Sequence, residues 1–267
     1  MSKLPLYRAI EIREKPIQGG TTLPLLSVAE NKKTYVLKLF GKKHANQRCY
    51  TGAEVYAHYL AKQFELNTPE AAFISIPKEL IKLYKKTNPA LHKLLLQKDY
   101  TRPCFATVYL GDLPIFSPAL HKKYIESHDI ETIYAFDTLI LNDDRKRVKP
   151  NMLKTADGYC LIDHDKAFGS VDYALREIAN NRLCPYNKYH LFYEMLKRRA
   201  KKSGIDQKFE TFREYFNSLN LGNLDILNAQ LTEFDYDISE CKAWKAYLYD
   251  IKQNRTNFVS ILKESLL

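Results

Sequence analysis

The pattern of apolar and polar positions divides the chain into a strand-rich first part and a mostly helical remainder. Apolar residues alternate or cluster, as in strands, over the segments 6–12, 23–28, 34–40, 71–76 and 103–110. Between the third and fourth of these, apolar residues recur at helical spacing from Thr51 to Phe64. This order predicts a twisted antiparallel sheet with one helix packed on it.

The rest of the chain carries mainly helical periodicity. Residues 78–98 form a lysine-rich helix or a helical pair interrupted at Asn88-Pro89. Further helices are predicted over 118–127, 129–141, 172–180, 187–202, 207–219, 222–233 and 238–265, and short strands over 151–154 and 158–163. The predicted class is α+β, with a β-rich N-terminal lobe over residues 1–110, a connector near 108–113 and a helical C-terminal lobe over residues 111–267.

Composition narrows the function classes. The 267 residues are 45% hydrophobic and 27% charged, and no apolar run is long enough to span a membrane, so we expect a soluble cytoplasmic protein with no membrane partner. The five cysteines form no C-x-x-C pair, which argues against a cysteine zinc site and for reduced thiols. The net charge of +10 arises from local lysine and arginine runs, which are either solvated faces or attract an acidic partner such as nucleotide or nucleic acid.

The stretch from Leu141 to Phe168, LNDDRKRVKPNMLKTADGYCLIDHDKAF, carries the densest functional chemistry. Phosphoryl transfer needs few protein parts: oxygen ligands for Mg²⁺, a cation on the phosphates and a carboxylate near the nucleophile. Asp144, Asn151 and Asp163 offer the carboxylate and the oxygen ligands. We expect Arg145 to anchor the loop.

A matching cation lies earlier in the chain. Lys38 interrupts an otherwise apolar strand, and Glu54 begins the following amphipathic helix. A strand lysine and a helix glutamate are the pair that could aim an ammonium at phosphates. Each also has a simpler interpretation, since Lys38 could be an edge-strand residue facing water and Glu54 a first-turn acid favoured by the helix dipole.

These residues, in this order, resemble a known family. The chain is similar to compact HipA-like kinases, within the broader set that resembles protein kinases and phosphoinositide kinases, over roughly residues 7–170. The motifs that carry the resemblance are Gly19-Gly20-Thr21-Thr22-Leu23-Pro24, Tyr35-Val36-Leu37-Lys38, Glu54, Leu66-Asn67-Thr68-Pro69-Glu70, Phe136-Asp137-Thr138-Leu139-Ile140, Asp144-Arg145, Lys149-Pro150-Asn151-Met152-Leu153 and Leu161-Ile162-Asp163-His164-Asp165-Lys166-Ala167-Phe168.

The resemblance implies a bilobal protein-kinase-like fold and ATP- and Mg²⁺-dependent transfer of the γ-phosphate to a Ser or Thr of a protein substrate. By position, Lys38 would hold the phosphates and Glu54 would orient Lys38. Asp144 would be the catalytic carboxylate, and Mg²⁺ would be bound by Asn151 and Asp163. The phosphates would be covered by Gly19, Gly20, Thr21 and Thr22, and the adenine-side hinge would be formed by Thr107, Val108, Tyr109 and Leu110. Some members of the family are growth-arresting toxins, which implies an antitoxin or DNA-binding partner protein.

The chain departs from the family pattern in its catalytic loop. The interval from Asp144 to Asn151 is longer than usual, Lys149 stands where an Asn often does, and either Asp143 or Asp144 could be the base. Gly19-Gly20 is also not a G-x-G-x-x-G loop. Two alternatives therefore stay open: a catalytically inactive nucleotide-binding interaction module, or a small-molecule kinase of the aminoglycoside type.

Overall fold

The strands and helices lie close to where the apolar pattern predicts them. The computed structural model describes residues 3–13, 24–41, 48–156 and 158–267 of the chain. Within these residues the strands are β1 (Leu6–Arg13), β2 (Leu25–Ala29), β3 (Thr34–Leu37), β4 (Ala71–Ser75), β5 (Cys104–Val108), β6 (Met152–Thr155) and β7 (Gly158–Leu161).

Helices make up most of the remaining described chain. They are α1 (Arg48–Gln63), α2 (Lys78–Thr87), α3 (Pro89–Leu96), α4 (Pro118–His121), α5 (Ser127–Leu139), α6 (Val171–Ala179), α7 (Tyr193–Ser203), α8 (Glu210–Ser218), α9 (Leu224–Glu233), α10 (Ser239–Gln253) and α11 (Arg255–Glu264). Short 3-10 helices cover Lys122–Tyr124 and Pro185–Tyr189. None of these helices is long and apolar enough to cross a membrane.

Three predicted helical segments have different limits or divisions in the structure. The lysine-rich segment is a pair, because the Asn88 side chain accepts the Leu91 N–H at 3.1 Å and Pro89 occupies the first position of α3. The helix predicted over 187–202 begins only at Tyr193, after the 3-10 turn. The helix predicted over 238–265 is two helices that meet at Asn254.

Five of the strands close into a barrel with the order β1-β2-β3-β5-β4. Four of its pairings are antiparallel, but Leu6–Arg8 of β1 pair in parallel with Phe73–Ser75 of β4. The prediction of a purely antiparallel sheet was therefore wrong at one pairing. Alternation reports which face a residue occupies and not the strand direction, and the connection from β1 to β4 includes a helix, which is long enough for a parallel return.

The chain forms two compact units, each assembled from segments that are distant in sequence. The first contains Met1–Val55, Pro69–Gly111 and Asp225–Ile238, and the second contains Tyr56–Thr68, Asp112–Leu224 and Ser239–Leu267. The fold class is thus α+β, helix-rich with a small strand-rich region. The assignment of functions to residues 1–110 and 111–267 stays a prediction.

The first unit is the barrel together with α2, α3 and a late segment of the chain. Tyr84 of α2 ties its hydroxyl to Ile12 of β1, accepting the Ile12 N–H at 2.6 Å and donating to the Ile12 carbonyl at 3.1 Å. Gln230 makes a similar pair of hydrogen bonds with the main chain of Leu4, at 2.9 and 2.7 Å. These bonds hold the residues around Gln230 to the barrel although they lie more than two hundred positions away.

The second unit is centred on α5 and stacked aromatic side chains. Phe64, at the end of α1, stacks on Phe212 of α8 with ring centroids 5.0 Å apart, and Phe168 stacks on Trp244 of α10 at 4.9 Å. β6 and β7 form a two-stranded hairpin in this unit, with Met152 opposite Leu161. The hairpin and the loop before it carry the second half of the predicted catalytic residues.

A buried histidine in the second unit predicts an acid-sensitive fold. Burial and the nearby Lys62 lower the pKa of His58 to about 4. Between this value and the ordinary value near 6.5 the unfolded chain binds a proton that the folded chain does not, so stability is full above pH 6.5 and falls as the pH drops toward 4. We expect His58 to contribute about 3 kcal/mol of this loss. Urea unfolding at pH 7 and pH 4 checks it: His58→Gln should lose less stability than the wild type, and equal losses would contradict the assignment.

Candidate functional site

Lys38 and Glu54 form a buried ion pair in the first unit. Lys38 follows β3 directly, where its N–H donates to the Phe105 carbonyl at 3.2 Å, and its ammonium contacts the Glu54 carboxylate on α1. The side chains are only 12% and 3% exposed. The alternative of an edge-strand lysine facing water is therefore wrong, and so is the prediction that Lys38 lies inside the strand.

The position of Glu54 also differs from the first-turn acid considered from sequence. α1 begins at Arg48, and its first turn contains no acidic residue within the described chain. Glu54 lies further along the helix, so the helix dipole does not explain it. Its contact with Lys38 does, because a carboxylate beside the ammonium offsets the cost of burying that charge.

The predicted adenine-side segment is fixed by main-chain hydrogen bonds of the barrel. Thr107 pairs with Val36 and with Ala71, and β5 ends one residue later at Val108. The Val108 N–H donates to the Glu70 carbonyl at 2.8 Å, and the Tyr109 N–H donates to the Thr34 carbonyl at 2.9 Å. An adenine ring would therefore have to use other main-chain groups of this segment, such as those of Leu110. The predicted phosphate loop, Gly19, Gly20, Thr21 and Thr22, lies outside the described residues.

Arg145 is the structural centre of the catalytic loop in the second unit. Its side chain is fully buried at 0% exposure, and its Nε donates to Asp137 of α5 at 2.5 Å. The same guanidinium donates to the carbonyls of Pro150 and Asn151 and, at 2.9 Å, to Nε2 of His164. One side chain thus joins the helix before the loop, the end of the loop and the segment after β7, which confirms the expectation that Arg145 anchors the loop.

The partners of Arg145 hold Asp137 ionised. Burial alone would raise the pKa of the Asp137 carboxyl, but the Arg145 guanidinium and the His190 ring, whose Nε2 lies 3.0 Å from Asp137, together lower it. Burial in turn lowers the pKa of His190, with Asp137 acting in the opposite direction. His190 has no metal-ligand spacing to other residues in the sequence, so the sequence pattern does not predict its place in this network.

Asp144 is oriented by groups from its own loop. Its N–H donates to the Asn142 side chain at 3.2 Å, and that side chain also donates to Asp137 at 2.8 Å. Its Oδ2 accepts from Lys149 at 2.5 Å and from the Asn151 amide nitrogen at 3.1 Å. Because the Asn151 nitrogen faces Asp144, the amide oxygen is the atom that Asn151 could offer to a cation.

The predicted metal ligands lie at the open end of the β6–β7 hairpin. Asn151 precedes β6 and Asp163 follows β7, and the Ile162 N–H donates to the Asn151 carbonyl at 3.0 Å, which closes this end. Both Asn151 and Asp163 have left-handed backbone, with φ values of 46° and 61°. Such conformations are costly for residues other than glycine and recur at functional sites, where they aim side chains.

A third carboxylate joins Asp144 and Asp163. Each of Asp144, Asp163 and Asp165 offers an oxygen within 4.8 Å of the others, and Asp165 is only 6% exposed. Clustered carboxylate oxygens beside an amide oxygen suit a hard divalent cation such as Mg²⁺, so the donor set fits the metal that the resemblance implies. The sequence pattern alone gives Asp165 no distinct role. The signal was the Ile-Asp-His-Asp motif, in which Asp165 follows Asp163 after one residue.

Lys149 contributes a positive charge to the same group of carboxylates. Its Nζ lies 2.5 Å from Asp144 and 3.5 Å from Asp163. Burial would lower the pKa of Lys149, but the surrounding carboxylates of Asp144, Asp163 and Asp165 raise it above its ordinary value. The ammonium therefore stays charged at neutral pH.

Comparison with solved structures shows the fold. The proinflammatory kinase CtkA of Helicobacter pylori matches with a TM-score of 0.55 at 12% sequence identity, over 98% of this chain and 98% of that chain. Two structures of the Golgi casein kinase, one with Mn/ADP bound, match with TM-scores of 0.44 at 15% identity, over 98% of this chain and 72% and 74% of those chains. No curated protein sequence matches. The likeness to CtkA shows a kinase-like fold.

The family follows from the sequence itself. This chain belongs to the HipA-like kinases, whose family model matches residues 9–244. The match confirms the resemblance predicted from the motifs, and it extends beyond residue 170, where those motifs end. Family and fold together support a phosphotransferase.

Proposed function

We propose that this protein is an ATP- and Mg²⁺-dependent kinase that transfers the γ-phosphate to a Ser or Thr hydroxyl of a protein substrate. The observation that carries the proposal is the arrangement of Asp144, held by Asn142, Lys149 and Asn151, beside the carboxylates of Asp163 and Asp165. Membership of the HipA-like kinases supports the same reaction class.

Each side chain then has a distinct task. Asn151, Asp163 and Asp165 hold the divalent cation, and Lys38, kept in place by Glu54, binds phosphate oxygens. When bound, Mg²⁺-ATP would supply the phosphoryl group, and its metal ion would neutralise the charge that develops on that group. Asp144 accepts a hydrogen bond from the substrate hydroxyl and takes its proton as the oxygen bonds to phosphorus and ADP leaves.

The proposal extends to the biological setting only through the family resemblance. We propose a cytoplasmic protein that phosphorylates another protein and acts with an antitoxin or DNA-binding partner, in the manner of toxin-type family members. Phosphoproteomics of cells that express the wild type or the Asp163→Ala variant tests this extension, because phosphosites present only with the wild type would identify the substrate.

A catalytically inactive nucleotide-binding module is the second candidate. Lys149 favours it, since an ammonium already lies among the carboxylates that a kinase would use for its metal. A small-molecule kinase is the third candidate, and it is tested by adding amino sugars as acceptors to an assay of phosphate transfer from ATP.

Replacing Lys38 with Met is expected to lower phosphate transfer roughly ten- to hundredfold, because a preorganised charge on the phosphates is lost. Transfer of label from γ-labelled ATP to the protein itself or to lysate proteins measures the effect. Lys33→Met is the matched control, since it also removes a lysine of the first unit that is paired with a glutamate, but the ion pair of Lys33 with Glu70 is exposed. It should transfer label at the wild-type rate.

The outcomes separate the candidates. Equal labelling by the wild type and Lys38→Met would reject the kinase assignment, and ATP binding without transfer would favour the inactive module. Label on amino sugars but not on protein would identify a small-molecule kinase. Because Lys38→Met leaves Glu54 buried without its ammonium, thermal unfolding of each variant shows whether a loss of transfer is a loss of folding.

A further inference from the structure

The ammonium of Lys149 lies beside a cluster of three carboxylates in the second unit. Its Nζ is 2.5 Å from an Asp144 oxygen and 3.5 Å from an Asp163 oxygen, and these two side chains belong to the three-carboxylate cluster that also contains Asp165. The Lys149 side chain is 43% exposed, so solvent reaches it from one side. A divalent cation bound to the same carboxylates would meet this positive charge at close range.

The main chain at Lys149 is fixed while its side chain has room to move. The Lys146 N–H donates to the Lys149 carbonyl at 3.0 Å and the Lys149 N–H donates back to the Lys146 carbonyl at 3.2 Å, which closes a tight turn. The next residue, Pro150, is held through its carbonyl by the buried Arg145. Any exchange of the ammonium for a metal ion is therefore a movement of the flexible four-carbon side chain and not of the loop.

Like charges oppose each other across such a short distance. A monovalent and a divalent cation about 4 Å apart repel strongly enough to weaken binding roughly thirtyfold even at the dielectric constant of water, and more where solvent is partly excluded. The two cations cannot both occupy the cluster without this cost. The ammonium must leave Asp163 before a divalent cation takes that carboxylate.

We propose that Lys149 is a built-in counter-cation that occupies the carboxylate cluster when no divalent ion is bound and so sets the metal affinity of the site. The inference rests on the proposed function in one respect, that Asp163 and Asp165 of this cluster hold the metal ion of the kinase. Lys149 is then a residue that determines metal affinity: the site accepts a divalent cation only at concentrations that displace the ammonium.

Direct binding of Mn²⁺, measured without nucleotide by electron paramagnetic resonance of the free ion, tests the proposal. Mn²⁺ prefers oxygen ligands as Mg²⁺ does and is visible to this method. Lys149→Met should bind Mn²⁺ roughly three- to thirtyfold more tightly than the wild type, because the competing charge is removed. Lys149→Arg, which keeps the charge, should bind like the wild type, and adding Asp163→Asn should abolish the gain.

Lys146→Met is the control for net charge, because it removes one positive charge from the same loop without touching the Lys149 ion pairs. Its Mn²⁺ affinity should equal that of the wild type. An unchanged or weaker affinity in Lys149→Met, including no binding by either protein, overturns the proposal. Unchanged affinity together with reduced phosphate transfer would place the ammonium on the phosphates instead. Thermal unfolding confirms that each variant folds.

Failure of this inference is distinguishable from failure of the proposed function. The Mn²⁺ titration contains neither ATP nor a protein substrate, so it reports on Lys149 whether or not the protein transfers phosphate. A protein that transfers no label but gains Mn²⁺ affinity in Lys149→Met would reject the kinase function and support the counter-cation. An active kinase with no gain in that variant would do the reverse.

Discussion

Phosphate transfer is expected to fall roughly 10²- to 10⁴-fold when Asp144 is replaced with Asn, the range typical of losing a positioned general base. The substitution keeps the size of the side chain and its ability to accept from Lys149 and Asn151, but removes the charge that draws the proton from the substrate hydroxyl. Steady-state transfer of label from ATP to a protein acceptor measures the change. The loss should lie in kcat, because Asp144 acts on the reacting hydroxyl and not on nucleotide affinity.

Asp143→Asn is the control for this prediction, and it also resolves the choice of base that the sequence leaves open. Asp143 is an exposed neighbour in the same loop, whereas Asp144 is oriented by Asn142, Lys149 and Asn151. We expect Asp143→Asn to retain most of the activity. A larger loss in Asp143→Asn than in Asp144→Asn would transfer the role of base to Asp143.

The order of residues in the sequence predicts which functional residues lie together better than it predicts which residues and backbone conformations hold them in place. The contact between Lys38 and Glu54 follows from a lysine at the end of an apolar strand pattern and a glutamate in the next helix, and the hairpin that Asn151 and Asp163 flank follows from two short apolar runs. The left-handed backbone at Asn151 and Asp163 cannot be predicted from the sequence in the same way, because neither residue is the glycine that usually indicates this conformation.

The network around Asp137 shows why the other contacts of the candidate site cannot be predicted from the sequence. Its members lie on α5, in the catalytic loop, after β7 and before α7, and they meet only because the second unit packs these segments together. A buried Asp within a helical pattern looks like any polar helix position. The parallel pairing of β1 with β4 is hidden for a similar reason, since local alternation carries no information on strand direction.

Replacing Arg145 with Met is expected to lower the free energy of unfolding by about 3–5 kcal/mol, the cost of leaving a buried charge without its partner. Asp137 is 1% exposed and would lose its closest cation, and the carbonyls of Pro150 and Asn151 would lose a donor. Urea unfolding at pH 7 measures the loss. Because Arg145 and His190 lower the pKa of Asp137, the stabilisation from this carboxylate is present above its ordinary pKa near 4 and is lost as the pH falls below that value.

Two further variants show whether the unpaired charge of Asp137 causes the loss of stability in Arg145→Met. Arg147→Met removes an exposed arginine from the same loop and should change stability by no more than about 0.5 kcal/mol. Adding Asp137→Asn to Arg145→Met removes the stranded carboxylate, so the double variant should be more stable than Arg145→Met alone. If the second substitution lowers stability further, the loss arises from the broken hydrogen bonds to the loop and not from an uncompensated charge on α5. In either case Asp144 should lose its orientation with Arg145, because Asn142 links Asp144 to Asp137, and transfer should fall in the folded fraction of Arg145→Met as well.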